Sequence, residues 1–271
     1  MHPNSTHLVR EGSTQLLEKA GIYEAEMMQQ DMQQAAPLCA ALQHDTTLRT
    51  MLSLFMPQLR LDSQAIKLQV NQGNGACFPL HYDSDEQLDG RKVTAIMYLN
   101  PDWEPSHGGQ LRLYPFPGPP VDVAPVNDRL LLFSACRMLH RVMPSAVERV
   151  CFTTWLSQAR RPAGIAAASP ISLSQLVQGA DPAGDNRKLA QRLLGHPEAR
   201  RYVAKACYQE AWADSIAESH PDTAARAEAL RTFWQDVWLI RRALSGLSPD
   251  LDLLLQGKLP ESAVSPFDQW F

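Results

Sequence analysis

The chain has 271 residues, 45% of them hydrophobic, and a formal net charge of −4, which predicts one large domain, or one domain with an extension, around a sizeable core. The acidic balance argues against a nucleic-acid partner, since such proteins usually carry a basic face, and no run is apolar enough to predict a membrane partner. Five cysteines without a Cys-x-x-Cys pair argue against a disulfide framework or a zinc site and predict a reducing compartment, the cytoplasm or the nucleus.

The first part of the chain, to about residue 58, is predicted to be helical. Ser13 suits the N-cap of a helix over 14–20, and Gly21 stands where such a helix would end. Asp45 is the candidate cap of a second helix. Apolar residues recur in that second helix at helical spacing: Leu48, Met51, Leu52 and Phe55. We therefore expect helices on the N-terminal side of the core.

From about residue 59 to 160 the pattern changes to short strand-like runs separated by turns. In 65–70 the apolar side chains alternate with Lys67 and Gln69, which predicts a strand with one buried face. A glycine-rich turn follows at 71–75. The further strand-like runs are 93–99, 110–114, 129–133 and 150–156. Several short strands at regular spacing predict an all-β sandwich or barrel, and jelly rolls are among the choices.

The C-terminal region changes again. Residues 160–170 have the composition of a linker, and 171–271 is predicted to be helical, with one helix over 186–194. Pro197 and Pro221 suit the first turns of two longer helices. The second of these carries an apolar stripe formed by Leu230, Phe233, Trp234, Val237, Ile240 and Leu244.

Candidate metal ligands stand at the end of the segment 73–83, in the pair His81-x-Asp83. On a strand, side chains two residues apart point to the same face, so this imidazole and this carboxylate would lie side by side. Such a pair is weak evidence by itself, because short motifs match by accident. His140 could complete a 2-His-1-carboxylate set, which suits iron(II), and Arg149 could reach the mouth of the same barrel.

Six short motifs occur in order between about residues 65 and 156. They are Gly73-Asn-Gly75, His81-x-Asp83, the run Val93-Thr-Ala-Ile-Met-Tyr-Leu-Asn-Pro-Asp-Trp103, Gly108-Gly-Gln-Leu-Arg112, Asp128-Arg-Leu-Leu-Leu-Phe133, and His140-x-Val142 followed by Arg149-Val-Cys-Phe-Thr-Thr-Trp155. Together and in this order, they resemble the prolyl 4-hydroxylase-like branch of the iron(II)/2-oxoglutarate dioxygenases, most closely the oxygen-sensing prolyl hydroxylases.

The resemblance implies an α+β fold with a double-stranded β-helix (jelly-roll) core, N-terminal helices and a C-terminal helical extension. The dioxygenase domain would span 1–160, with its helical part to about 58 and its jelly-roll core over about 59–160. The helical extension would span 171–271. It further implies hydroxylation of a protein substrate, with a peptidyl proline as the expected target. This reaction would be coupled to decarboxylation of 2-oxoglutarate to succinate and carbon dioxide.

The resemblance also implies roles for individual residues. The iron(II) ligands would be His81, Asp83 and His140. Arg149 would hold the far carboxylate of 2-oxoglutarate, since a guanidinium matches a carboxylate with two parallel hydrogen bonds. Tyr98 would donate to the same carboxylate, and Thr153 and Trp155 would line the pocket. Oxygen is the second cosubstrate, and ascorbate is a further cofactor that the resemblance allows.

Several alternatives stay open. Arg149 could instead form a surface ion pair with Glu148 or Asp128, and Tyr98 could be a core aromatic. Asn71 stands where the resembling enzymes usually carry a second pocket tyrosine, which predicts a wider pocket or weaker cosubstrate binding. The same chemistry could hydroxylate a free small molecule. The chain could also be a catalytically inactive 2-oxoglutarate-binding interaction module in which 171–271 is the interaction surface.

Overall fold

The computed structural model describes residues 1–10, 13–85, 89–158, 175, 177 and 193–244, apart from the side chains of 7–10, 13–15 and 39. The predicted linker at 160–170, residues 186–192 of the predicted helix at 186–194 and the chain after residue 244 lie outside the described residues, while 193 and 194 are helical.

Nine strands of the described chain form two antiparallel sheets. The six-stranded sheet has the order β1-β2-β3-β9-β4-β7, and the three-stranded sheet has the order β6-β5-β8. The strands are β1 (His2–Arg10), β2 (Ser13–Glu26), β3 (Ser63–Asn71), β4 (Arg91–Tyr98), β5 (Leu111–Tyr114), β6 (Val121–Val123), β7 (Leu130–Ser134), β8 (Leu139–Val142) and β9 (Arg149–Ser157). The two sheets pack face to face around an apolar interior, which confirms the predicted jelly-roll core.

Strand β9 occupies the middle of the larger sheet, between β3 and β4. Residues directly opposite each other in antiparallel strands point to the same face. Cys151 lies opposite Tyr98 on β4 and Gln69 on β3, and Arg149 lies opposite Asn71. One face of three neighbouring strands therefore carries the predicted 2-oxoglutarate residues, and this face looks into the space between the sheets.

The N-terminal prediction is right for the second helix and wrong for the first. The helices before the core are α1 (Gln30–Ala35), α2 (Pro37–His44) and α3 (Thr47–Phe55), and the Asp45 carboxylate accepts from the Thr47 amide at 2.8 Å. The segment 14–20, predicted as a helix, belongs to strand β2. Leu17 and Lys19 are buried while 16, 18 and 20 are exposed, which is the period of two expected of a strand.

Gly21 does not cap a helix but lies within β2, where it takes a φ of +68°. The pairing between β1 and β2 shifts register between Pro3 and Ser5, whose partners are Tyr23 and Glu18. Gly21 lies between these two partners, in the irregular part of the pairing, where a left-handed backbone favours glycine. The pairing of β2 with β1 and β3 overrides the weak helical pattern of the segment.

The predicted helical character of the C-terminal region is confirmed for its described part. The helices are α4 (Pro197–Cys207), α5 (Gln209–Ser219) and α6 (Ala224–Leu244). Pro197 occupies the first turn of α4, as predicted, and the run expected to continue to residue 218 is broken into α4 and α5 at Tyr208. Buried residues of the predicted stripe on α6 are Phe233, Val237, Ile240 and Leu244.

These helices pack directly on the jelly roll. The Arg200 guanidinium donates to the carbonyl oxygen of Phe116 at 2.6 Å, and the Thr6 hydroxyl of β1 lies 3.0 Å from Nε2 of His220. Tyr208 contacts the rings of Tyr114 and Phe116. In the part of the chain that the structure describes, none of the helices combines the length and apolarity needed to span a membrane.

Candidate metal centre and cosubstrate pocket

The two predicted metal-binding histidines are paired through their backbones. The His81 amide donates to the His140 carbonyl oxygen at 3.0 Å, and the His140 amide donates to the His81 carbonyl oxygen at 3.0 Å. Because residues paired in this way share a face, the two imidazole rings lie next to each other, with centroids 4.4 Å apart. The pairing of His81 with β8 explains why two residues 59 positions apart in the printed sequence meet.

Asp83 completes the cluster. Its Oδ1 lies 3.4 Å from Nε2 of His81 and 3.7 Å from Nε2 of His140. One ligand atom from each of the three residues lies within 4.8 Å of the others. His81 forms an isolated bridge and Asp83 lies in a bend, so the expected regular strand is reduced to one paired residue. The shared orientation predicted from the spacing is nevertheless present.

The tautomers of both histidines follow from their second nitrogens. Nδ1 of His81 lies 2.8 Å from the Pro79 carbonyl oxygen, and Nδ1 of His140 lies 3.0 Å from the Met138 carbonyl oxygen. A carbonyl oxygen only accepts, so each Nδ1 carries the proton and donates. In a neutral ring with the proton on Nδ1, Nε2 carries the free lone pair that a metal ligand requires, and in both residues Nε2 is the nitrogen on the side of Asp83.

The protonation states of Asp83 and His140 also suit metal binding. Burial alone would raise the pKa of Asp83, but His140, His81 and the hydrogen bond from the Thr94 hydroxyl hold that pKa well below its usual range. Burial, followed by the neighbouring His81, lowers the pKa of His140 to about 4. At neutral pH the cluster therefore offers one carboxylate and a neutral His140.

The inner face of the larger sheet carries a buried arginine beside a buried tyrosine. Arg149 is 4% exposed, and its Cζ lies 5.1 Å from the centre of the Tyr98 ring. Its Nη1 lies 3.6 Å from the sulfur of Cys151, while its Nε has no hydrogen-bond partner. The alternative of a surface ion pair is wrong, since among the described residues no carboxylate is paired with this guanidinium.

Tyr98 is fully buried between the sheets, and its hydroxyl has no hydrogen-bond partner. Burial raises the pKa of Tyr98 to about 12, so the phenol stays protonated and able to donate. Buried polar groups without partners are rare in folded proteins and mark places where a bound group completes the hydrogen bonding. Tyr98 and Arg149 together offer buried donors from which a bound anion could accept hydrogen bonds.

Two further predicted pocket residues lie on the same face of β9. The Thr153 hydroxyl donates to Oε1 of Gln69 at 2.7 Å, and the indole nitrogen of Trp155 is buried without a partner. Asn71 points to the same face, but its amide donates to the Ala76 carbonyl oxygen at 2.7 Å and accepts from the Gly73 amide at 2.8 Å. Asn71 thus holds the glycine turn, and a wider pocket remains a prediction.

The sequence interpretation missed Thr94 and Gln69. The Thr94 hydroxyl donates to Oδ2 of Asp83 at 2.5 Å, and it leaves Oδ1 of that carboxylate directed at the two histidines. A signal was present, since Thr94 and Tyr98 stand four residues apart on β4 and therefore share a face. Polar residues at the inward positions of an otherwise apolar strand were the available sign of a site.

Comparison with known proteins decides the family. The model described as the 2OG-Fe(II) oxygenase superfamily matches residues 66–157. A crystal structure of a prolyl 4-hydroxylase from Phytophthora capsici is 32% identical to the chain, with a TM-score of 0.68, and the match covers 87% of this chain and 77% of that one. The chain belongs to the 2OG-Fe(II) oxygenase superfamily.

The likeness to curated proteins is local. Prolyl hydroxylase EGLN3 of Mus musculus is 44% identical over 86 residues, which is 31% of this chain and 36% of that protein. The hypoxia-inducible factor prolyl hydroxylase of Caenorhabditis elegans is 41% identical over 91 residues, which is 32% of this chain and 12% of that protein. The matches therefore span about a third of the mouse relative's length, and they bear out the resemblance to prolyl hydroxylases.

The residues of this 2OG-Fe(II) oxygenase fit the two groups that its family name implies. Two imidazole nitrogens and one carboxylate oxygen form the donor set that suits iron(II) and leaves coordination positions open. The unpartnered Nε of Arg149 and hydroxyl of Tyr98 are the donors that the carboxylate of a 2-oxo acid would accept from. His81, Asp83 and His140 could hold the metal, and Arg149 with Tyr98 could hold the cosubstrate.

Replacing Thr94 by valine is expected to weaken iron(II) binding about 10- to 100-fold, because partners that orient metal ligands typically contribute that much to affinity. Valine keeps the shape of threonine but cannot donate to Asp83. The matched control is Thr153→Val, which removes a buried hydroxyl from the same face of the same sheet without touching a ligand. Equilibrium dialysis with iron(II) under nitrogen checks this, and equal affinities for the two variants would contradict the role of Thr94.

Proposed function

We propose that this protein is an iron(II)- and 2-oxoglutarate-dependent dioxygenase that hydroxylates a proline residue within a protein substrate. The observation that carries the proposal is that three side chains able to bind a metal converge, while the buried Arg149–Tyr98 pair on the inner face of the larger sheet keeps donors without partners. A degenerate relative would be expected to lose one of these elements. Here all of them are present, which supports the proposal.

When bound, iron(II) and 2-oxoglutarate supply an oxidative decarboxylation in which one oxygen atom of O2 enters succinate and the other enters a C–H bond of the substrate. The sum balances as substrate, 2-oxoglutarate and O2 giving hydroxylated substrate, succinate and carbon dioxide. The protein's own residues hold and orient these groups. Arg149 and Tyr98 fix one end of the cosubstrate, and the apolar lining between the sheets excludes water.

A cavity of about 710 Å³ beside His81 and Asp83 is the proposed substrate site. This volume lies within the usual range of ligand pockets. The rings of Phe78 and Trp155 line the cavity on the jelly-roll side, and Trp212 and Phe233 line it on the side of α5 and α6. Aromatic walls suit a proline ring in an extended peptide, because such a segment offers apolar surface with little conformational entropy to lose.

The remaining features of the proposal come from the sequence. Ascorbate would return oxidised iron to iron(II), as the resemblance allows. A cytoplasmic or nuclear location and the lack of nucleic-acid and membrane partners follow from the composition and charge. The similarity to proteins named prolyl hydroxylase and prolyl 4-hydroxylase supports proline as the target.

The test is a substrate screen with the full chain, iron(II) and 2-oxoglutarate. Proline-containing peptides are compared with free proline and other free amino acids for their stimulation of succinate release. The proposal predicts that peptides stimulate release and gain the mass of one oxygen atom on proline. Stimulation by free amino acids alone would favour the small-molecule hydroxylase. Tight binding of iron(II) and 2-oxoglutarate without turnover on any substrate would favour the interaction module.

A further inference from the structure

One arginine of the C-terminal helices touches both segments that carry the metal-competent residues. Arg201 of α4 donates from Nε and Nη2 to the Cys136 carbonyl oxygen at 3.1 and 2.5 Å. Its Nη2 also donates to the Ser84 carbonyl oxygen, and its Nη1 donates to the Asp85 carboxylate at 2.8 Å. Its guanidinium carbon lies 4.5 Å from the centre of the Tyr82 ring. A single side chain thus holds four residues.

The residues that Arg201 contacts lie on the two segments that carry Asp83 and His140. Tyr82 and Ser84 flank Asp83 on either side, and Cys136 lies in the turn that leads from β7 to His140 on β8. The Ser84 amide also donates to the Ala135 carbonyl oxygen at 3.1 Å, so the two segments meet where Arg201 binds. The guanidinium lies at the junction from which the candidate ligands project.

Helix α5 makes two more contacts of the same kind. The Ser215 hydroxyl accepts a hydrogen bond at 2.9 Å from the amide of Leu80, the residue immediately before His81. The carboxylate of Glu218 pairs at 2.5 Å with the guanidinium of Arg141, the residue immediately after His140. Each of the three candidate ligands therefore has a direct sequence neighbour that is bound by a polar side chain of α4 or α5.

We propose that Arg201 and Ser215 are positioning residues that hold the iron(II) site in its ligand geometry, so that the C-terminal helices are part of the metal centre. This inference rests on the proposed function for the identity of the metal. The physical reason is that His81 has only an isolated bridge and Asp83 lies in a bend. A regular ladder does not fix these residues, and side chains from another part of the chain supply the missing constraints.

A matched control separates positioning from general stabilisation. Arg226 also lies on a C-terminal helix, and its side chain is 20% exposed compared with 21% for Arg201. Arg226 likewise donates to two backbone carbonyl oxygens, those of Ala217 and His220, and pairs with Asp222. None of these partners adjoins a candidate ligand. Loss of either arginine removes a similar set of contacts, but only Arg201 acts on the metal centre.

The experiment measures iron(II) dissociation constants of the full chain under nitrogen, together with the melting temperature of each variant. Arg201→Gln is expected to weaken iron(II) binding at least about tenfold, as is usual for residues that orient ligands. Arg226→Gln is expected to keep the wild-type affinity despite a comparable fall in melting temperature. Arg201→Lys, which retains the charge and the reach to Asp85, is expected to recover part of the affinity.

The outcomes are distinguishable from failure of the proposed function. If the wild-type protein binds no iron(II), the proposed function is wrong and this inference falls with it. If wild type binds iron(II) and Arg201→Gln binds it equally well, only the positioning role is wrong. Should Arg201→Gln fail to fold, Ser215→Ala decides, because it removes one hydroxyl only. Wild-type affinity in Ser215→Ala would then overturn the proposal, and a loss of at least about threefold, the size expected for one lost hydrogen bond, would support it.

Discussion

Replacing His81 or His140 by alanine is expected to abolish succinate formation and to weaken iron(II) binding by more than about 100-fold, since removing a ligand must cost more than disturbing its orientation. The two histidines differ in their environment, and the difference is useful. The His140 side chain is 4% exposed and lies against the Phe133 ring, whereas the His81 side chain is 34% exposed. His81→Ala therefore removes a ligand with little loss of packing, and is the cleaner variant.

The control for this prediction is His44→Ala, which removes an exposed histidine at the end of α2. It is expected to leave iron content and turnover unchanged. Metal analysis after anaerobic reconstitution and a succinate assay measure both quantities. A His81→Ala protein that retained one iron(II) per chain and turned over at the wild-type rate would show that the metal binds elsewhere.

Replacing Arg149 by methionine is expected to raise the KM for 2-oxoglutarate at least about 100-fold. Breaking a buried ion pair by removing one partner typically costs about 3–5 kcal/mol, and about 1.4 kcal/mol corresponds to a factor of ten in affinity. The iron(II) affinity should stay unchanged, because Arg149 does not touch the ligand cluster. The protein without cosubstrate should be at least as stable as wild type, since the variant removes a buried charge that lacks a carboxylate partner among the described residues.

Thermal melting with and without 2-oxoglutarate provides an independent readout of the same prediction. A ligand that binds the folded state raises its melting temperature, so the shift seen with wild type should vanish in Arg149→Met. Arg112→Met is the matched control, because Arg112 forms an exposed two-point pair with Asp122 at 2.7 and 2.8 Å. Wild-type KM and an undiminished melting shift in Arg149→Met would place the 2-oxoglutarate site elsewhere.

Much of the fold follows from local patterns. The alternation in 65–70 and the apolar runs at 93–99 and 150–156 correspond to β3, β4 and β9, the three strands on which the pocket is built. Strand β8 was not predicted as a strand, because all four of its residues are buried and no alternation marks it. The segment 14–20 was misassigned because its periodicity suits either element, and its strand state is decided by pairing with distant segments.

Some residues of the candidate site can be assigned from the sequence, and others only from the structure. The spacing of His81 and Asp83 indicates a chelating pair, and the order of six motifs supplies His140 and Arg149. The strand pattern marks Thr94 as an inward-facing polar residue, but its partner could not be assigned from local sequence, since it depends on the approach of the bend at Asp83 to strand β4. Arg201 was equally inaccessible, because it lies 118 positions after Asp83 in the printed sequence and acts through the packing of a helix on the core.

The most direct measurement is an anaerobic optical titration of the wild-type protein, first with iron(II) and then with 2-oxoglutarate. A 2-oxo acid bound to iron(II) through two oxygen atoms gives a weak visible charge-transfer band. If His81, Asp83 and His140 hold the metal beside the Arg149–Tyr98 pocket, the band should grow on addition of 2-oxoglutarate and saturate at one equivalent per chain. If a protein shown to hold one iron(II) per chain gave no band, the assignment of these residues to an iron(II) and 2-oxoglutarate site would be contradicted.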